Sequence, residues 1–337
     1  MQKNTYYKSP MNYTGGKHKL LPQMLPLFPE NINTFVDLFT GGANVAINVN
    51  ANKIVANDFD SKVIGIYKRF QELSAEEIVN YIDSVIWHYQ LSKTNKDGYL
   101  TLREYYNKTQ CEPLDLFTLI CYSFNNQIRF NSKGEYNMPF GKDRSEFNGS
   151  IRKNLISFRE RIENVVFTSL DFRELKVEKL GEGDFVYCDP PYLITCATYN
   201  EKDGWNEQCE RDLLALLDRL DERGVGFALS NVLTNKGRTN EILQEWCGKY
   251  HTVHLNNTYA NCSYHAKDKT TDSTDEVLIT NTQLGDDARK RVFEAQVNIN
   301  RAIIGLDLGE PGTDKTVETT WKQNEDGTLS VLESKIV

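Results

Sequence analysis

Thr34-Phe35-Val36-Asp37-Leu38-Phe39-Thr40-Gly41-Gly42 reads as a buried strand that breaks in a glycine turn. Its apolar run is interrupted by one acid and shows no polar alternation, as in a strand covered on both faces. Ala43 to Val49 reads as a short helix, Lys53 to Ala56 as a second strand, and that strand ends on Asn57-Asp58. Strand, glycine turn, helix, strand and acid in this order form the first half of a doubly wound sheet. The turn lacks G-x-G-x-x-G spacing and is not a Walker loop, which argues against a dinucleotide or ATP. Asp58 is placed to accept hydrogen bonds from a ribose diol, so turn and acid together fit a nucleoside without a pyrophosphate. The structural alternative makes Asp58 a cap for a helix over Ser61-Lys62-Val63.

Upstream, Tyr13-Thr14-Gly15-Gly16-Lys17 is a loop that enters a helix carrying Leu20, Leu21, Met24, Leu25 and Phe28, which Pro29 ends. Downstream, residues 61 to 128 are mostly helical by period and carry no chemical signature. From Asn125 to Lys142 the texture changes to amides, one arginine, aromatics and a Lys-Gly turn. This suggests a hairpin whose tip reaches base edges and phosphates; an ordinary amide-rich surface loop is the bland reading. Ser150 to Glu163 is a basic amphipathic helix and Val165-Val166-Phe167 a strand.

Phe185 to Tyr187 is a further apolar run that brings the backbone to a strand end, and the strand stops at Asp189-Pro190-Pro191-Tyr192. Two prolines forbid both helix and ladder pairing there. An acid and an aromatic ring are thereby held at the mouth of the sheet, and Pro190 keeps a carbonyl but no N–H. Chemistry on an exocyclic amine needs such a corner: two acceptors for the amine hydrogens and a flat surface for the base. A rigid turn with a capping aspartate would look the same. Helix Glu207–Arg223, strand Gly226–Leu229, helix Glu241–Tyr250 and strands His251–Leu255 and Glu276–Thr280 continue the alternation, an α/β sheet with helices on both faces.

The remaining 282–337 stretch looks separate. Arg289 to Arg291 falls in a short helix, Ala302 to Gly309 reads as a strand with an acid-glycine turn, and Thr316–Trp321 pairs with Leu329–Leu332 across a hairpin. It is a small appendage rather than a domain with its own chemistry.

The composition, 26% charged and 39% hydrophobic, is that of a soluble globular protein. No apolar run approaches the roughly 20 residues that span a bilayer, and Met1-Gln2-Lys3-Asn4 opens no secretory signal. Seven scattered cysteines without a C-x-x-C pair suit a reducing cytoplasm. The net charge of −8 argues weakly against nucleic acid, yet residues 129–163 hold eight Lys/Arg against five Asp/Glu. His251, His254, Cys262 and His265 have zinc-like spacing, but two histidines three apart on a strand point to opposite faces, and no metal is expected.

Five ordered motifs, Tyr13–Lys17, Phe35–Gly42, Asn57-Asp58, Ile128–Asn131 with Pro139-Phe140-Gly141, and Asp189–Thr195, resemble the Dam-type DNA adenine-N6 methyltransferases. The likeness runs from about residue 6 to 281 and is nearest the T-even bacteriophage branch at Leu229–Leu233 and Thr274–Val277. It implies a Rossmann-like methyltransferase sheet from residues 1–60 and 165–281. The inserted, mostly helical segment 61–164 would recognise DNA, and 282–337 stays unexplained. It implies S-adenosylmethionine as cofactor, held by Tyr13, Lys17, Asp58 and Asp189 over the Phe39–Gly42 turn, with Asp37, Gly41 and Phe172 nearby. Asp189, Pro190, Pro191 and Tyr192 would form the catalytic corner. Double-stranded DNA would lie on Phe124, Asn125, Arg129, Asn131, Lys133 and Pro139, with Arg129 aligned to the family's reader of a guanine in GATC. No obligatory protein partner is implied, and the setting would be the cytoplasm of a bacterium or phage-infected host. Two alternatives keep the fold: transfer to an RNA amine, or a silent DNA-binding relative.

Overall fold

The strand quoted first lies in the middle of an eight-stranded sheet. The structure is a computed structural model that describes residues 6–195, 204–255 and 274–283, and the backbone of strands 317–323 and 329–336. Before the sheet come a 3-10 turn at Lys17–Lys19, the short helix α1 (Leu21–Met24) and a second 3-10 turn at Leu25–Leu27. The single helix expected here is broken because Pro22 and Pro26 each remove a backbone donor.

Strands β1 (Thr34–Asp37), β2 (Lys53–Asn57), β3 (Val165–Thr168), β4 (Phe185–Cys188) and β5 (Gly226–Asn235) are parallel, in the spatial order β3-β2-β1-β4-β5. Phe35 of β1 sits in register with Ile54 of β2 and Phe185 of β4. The ribbon β6 (Arg238–Thr239) folds back on β5; β7 (His251–Leu255) and β8 (Thr274–Thr280) close the edge antiparallel. β5 outruns its expected end because β8 pairs with it as far as Asn235↔Thr274. The chain leaves β1 for β2 and β3 on one side and returns to β4 on the other. The crevice beyond the ends of β1 and β4 is therefore the switch point where such sheets bind ligands.

Ala43 to Val49, expected as a helix, is a string of turns. Ala43 has φ 56°, a left-handed conformation no α-helix accepts, and only scattered bonds such as Ile47 N–H to Ala43 O follow it.

The helices α2 (Ser61–Glu72), α3 (Ala75–His88), α4 (Lys96–Thr109), α5 (Pro113–Tyr122) and α6 (Gly149–Arg161) fill the chain between β2 and β3. Each start is capped by a side chain: Asp60, Ser74 in a capping box with Glu77, Asn95, Glu112 and Asn148. The Asp58 cap expected as an alternative falls instead to Asp60. α5 is buried from Leu114 through Tyr122, the centre of this helical layer. The layer shares its core with the sheet: the Tyr67 ring lies 5.3 Å from Phe158 and 5.1 Å from Phe167 of β3. On the other face α7 (Glu207–Glu222) and α8 (Glu241–Cys247) bury Leu213, Leu217, Leu220 and Leu243 against Phe227 and Leu229 of β5.

The chain divides into Met1–Gly285 and Asp286–Val337. In the second unit β9 (Val317–Gln323) pairs antiparallel with β10 (Leu329–Ile336), the hairpin expected there. The helix at Arg289 and the strand at Ala302 lie outside the described residues. Among the described residues no helix is long and apolar enough to cross a membrane.

Candidate active site

β4 delivers Asp189 to the switch point, and the two prolines end its ladder there. Lys17, at the start of the 3-10 turn after the Gly15-Gly16 loop, reaches into the same place. Its Nζ lies 2.7 Å from Asp189 Oδ2 and 3.7 Å from Glu276 Oε1, and donates to the Gly15 carbonyl at 2.8 Å. It also stands 5.2 Å from the centre of the Tyr192 ring. The Tyr192 hydroxyl is 2.9 Å from Asp189 Oδ1 and 3.2 Å from Glu276 Oε1, so one phenol hydrogen serves two carboxylates. Burial pushes the Asp189 carboxyl up from its ordinary value, and Lys17 pulls it back. The Tyr192 phenol is held well above its usual range by burial and by Asp189 and Glu276. Each Asp189 oxygen has a second lone pair, so the acid can still accept from a ligand.

The turn and the acid that the sequence pairs are joined directly. Asp58 Oδ2 accepts from the Gly41 N–H at 2.8 Å, and Oδ1 accepts from Asp60 N–H at 2.9 Å. Gly41 adopts φ 46°, its carbonyl accepts from Tyr67 Oη at 2.6 Å, and an added Cβ would meet the Tyr13 ring at 2.8 Å. Tyr13 thus closes the turn from above, and only glycine fits beneath it. Beside it, Asp37 Oδ2 accepts from Thr40 Oγ1 at 3.0 Å, while Asp37 Oδ1 is buried without a hydrogen bond. Phe39, Phe172 and Trp205 form a trio with centroids 5.4–5.6 Å apart.

These residues fit S-adenosylmethionine. A carboxylate oxygen awaits a donor at Asp37, Asp58 retains lone pairs for a ribose, and the aromatic trio offers faces to a purine. Asp37, Asp58 and Asp189 also put anionic groups around a cationic ligand.

Burial pushes Asp37 up to about 7, against the downward pull of Thr40. Its carboxylate therefore forms only as pH rises through about 7, and S-adenosylmethionine affinity is expected to climb over that range and level off above it. Titrating tryptophan fluorescence with the cofactor at stepped pH measures this; Asp37→Asn should flatten the profile. The same raised value contributes stability below the unfolded carboxylate value that is lost as pH rises through about 7.

On the hairpin, Phe124, Asn125, Arg129, Lys133 and Pro139 are exposed. Asn131 is committed to the turn: its Oδ1 accepts from the Lys133 and Glu135 N–H groups, and its Nδ2 donates to Glu135 Oε2. Isolated bridges Phe130↔Tyr136 and Ser123↔Phe140 hold the hairpin expected here in place of a regular ladder. Asn12 Nδ2 donates to the Asn125 carbonyl at 2.8 Å, tying the hairpin to the loop that carries Tyr13 and Lys17.

Three positions that brace the crevice were given no role in the sequence. Glu276 is a buried acid that follows Asp275 at the polar start of β8. Asn57 braces three segments, donating to Leu38 O and Leu170 O and accepting from Thr168 Oγ1 and Leu170 N. Trp205 is held through Nε1 by Glu210 Oε2 at 2.6 Å, and Glu210 Oε1 accepts from Asn231 and Asn240; nothing local announces that. Of the zinc-spaced set, His254 meets Asp275 at 2.8 Å on the exposed edge, and Cys262 and His265 lie outside the described residues.

A nucleoside-type crevice ending in an Asp-Pro-Pro-Tyr corner has relatives. Residues 13–261 match the D12 class N6 adenine-specific DNA methyltransferases, and the chain belongs to that family, whose methyl donor is S-adenosylmethionine. The type II methyltransferase M.FokI of Planomicrobium okeanokoites is 51% identical over 82% of this chain and 43% of its own length. The modification methylase StsI of Streptococcus sanguinis is 45% identical, again over 82% of this chain and 43% of its own. The DNA adenine methylase of Escherichia coli K12 is 25% identical over 68% of this chain and 82% of its own. The chain spans about two fifths of the length of the first two.

Proposed function

We propose that this chain transfers a methyl group from S-adenosylmethionine to N6 of adenine in duplex DNA. The observation that carries the reading is the corner itself: Asp189, braced by Lys17 and Tyr192, at the ends of β4 and β1. When bound, S-adenosylmethionine supplies an electrophilic methyl on a sulfonium.

The adenine amine is conjugated into its ring and is a poor nucleophile. Asp189 and the Pro190 carbonyl accept hydrogen bonds from its two hydrogens, which localises the nitrogen lone pair and aims it. Once the nitrogen has gained the methyl group it carries one proton too many, and Asp189 is the group placed to take it. Lys17 and Tyr192 keep the Asp189 carboxylate in one orientation, so positioning and fixed charge supply most of the rate. The amine is out of reach inside a duplex, so the adenine leaves the stack and lies against Tyr192, at a cost of a few kcal/mol. The hairpin from Phe124 to Pro139 takes the DNA. The alignment of Arg129 makes GATC the first sequence to test. A likeness of β5 and β8 to the T-even phage enzymes stays part of this proposal, beside the type II methylases that the chain resembles over 82% of its length.

Tritium transfer from labelled cofactor to duplex DNA, RNA and protein, followed by long-read mapping of methylated adenines, tests the reading. Label in duplex DNA at one sequence supports it. Label in RNA or protein alone, or none, overturns it.

A further inference from the structure

The guanidinium of Arg129 has two edges that can present paired N–H donors. One of them is already taken. Nε donates to Asn137 Oδ1 at 2.8 Å and Nη2 donates to the Asn137 carbonyl at 3.0 Å. The Asn137 N–H returns a bond to the Arg129 carbonyl at 3.1 Å. Three hydrogen bonds therefore join two residues that face each other across the hairpin, and the side chain cannot swing without breaking two of them. What stays open is the Nη1/Nη2 edge, on a residue exposed to solvent.

The choice of holder matters as much as the geometry. Asparagine offers acceptors without charge, so Arg129 keeps its whole positive charge; among the described residues no ion pair involves it. An aspartate at this place would hold the same edge and cancel the attraction to phosphates. A guanine presents O6 and N7 side by side in the major groove, and a guanidinium edge meets both. An arginine with five donors and four rotatable bonds ordinarily loses freedom on making that contact. Here the orientation exists before DNA arrives.

We propose that Asn137 is a positioning residue for base readout: it clamps the Nε/Nη2 edge of Arg129 so that the Nη1/Nη2 edge meets O6 and N7 of one guanine. This rests on the reading of the chain as a DNA methyltransferase with its recognition hairpin at 124–139. Asn137 itself need touch no base.

The test uses duplexes carrying the sequence that the full chain methylates, with each guanine in turn replaced by 7-deazaguanine, which removes N7 and leaves Watson–Crick pairing intact. For one guanine the parent should lose about five- to a hundredfold in kcat/KM. In Arg129→Ala and in Asn137→Ala that ratio should collapse to within about threefold, and the double variant should show no further change. Asn137→Asp, which keeps both acceptors, should restore most of the ratio while lowering the salt dependence of DNA binding by about one charge. A merely structural role would weaken methylation of both duplexes alike and leave the ratio standing. If Asn137→Ala discriminates like the parent while Arg129→Ala does not, the clamp is refuted and the reader survives. If Arg129→Ala still discriminates, Arg129 is not the reader and the clamp falls with it. A parent chain that methylates no duplex overturns the underlying reading instead.

Discussion

Asp189→Ala is expected to lower kcat for DNA methylation by about a hundred- to a thousandfold, because it removes one of two acceptors from the reacting amine. The fall should appear in kcat and kcat/KM alike, since the interaction matters most as the nitrogen becomes nucleophilic. Single-turnover rates with saturating cofactor and duplex measure it free of product release. A variant that turns over within about tenfold of the parent would remove Asp189 from the chemistry. The variant also leaves Lys17 with Glu276 at 3.7 Å as its remaining acid, so melting should be followed in parallel. Loss of rate with the fold intact is the diagnostic result.

Lys17→Met is expected to be the more damaging change to stability. Lys17 is 4% exposed and Asp189 18%, so the pair is buried rather than surface-screened. Removing one member of such a pair costs about 3–5 kcal/mol, because the partner must then either stay charged in a poor solvent or take up a proton. The pH dependence identifies the cause. Asp189 is already raised by burial, and Lys17 is the group that pulls it down. Without the lysine its folded value climbs further, and the folded state holds a proton that the unfolded chain has released. The deficit against the parent should be small below the unfolded carboxylate value, near pH 4, and widen as pH rises. Urea unfolding at about pH 5 and pH 8 reads the difference. A deficit independent of pH would mean that Lys17 acts by packing its methylene stem alone.

The parts of the site that were legible in the sequence are those where local chemistry forces one backbone outcome. The glycine turn after β1, the double proline after Asp189 and the acid at the end of β2 are such places, and each is found where it was expected. The first helix and the Ala43–Val49 segment were misjudged because apolar spacing outweighed two prolines and a left-handed alanine, which spacing does not see. Glu276 and Trp205 were missed for another reason. Both reach the site from chain more than 10 residues away in sequence from the Asp-Pro-Pro-Tyr corner, Glu276 by 84 from Tyr192. Only the antiparallel return of β8 beside β5 brings that acid in, and no spacing rule records it.

The single bond from Asn12 to the Asn125 carbonyl has a mechanical meaning. Asn125 and Asn126 both sit at positive φ, 55° and 53°, at the base of the hairpin beside the Ser123↔Phe140 bridge. On the proposed function, a duplex that pushes this base would either snap the bond or drag Asn12 with it, and Asn12 is five positions from the ammonium that grips Asp189. If the proposed function holds, engagement of the hairpin is in this way geared to the alignment of the acid, and a misplaced duplex would leave the gears apart.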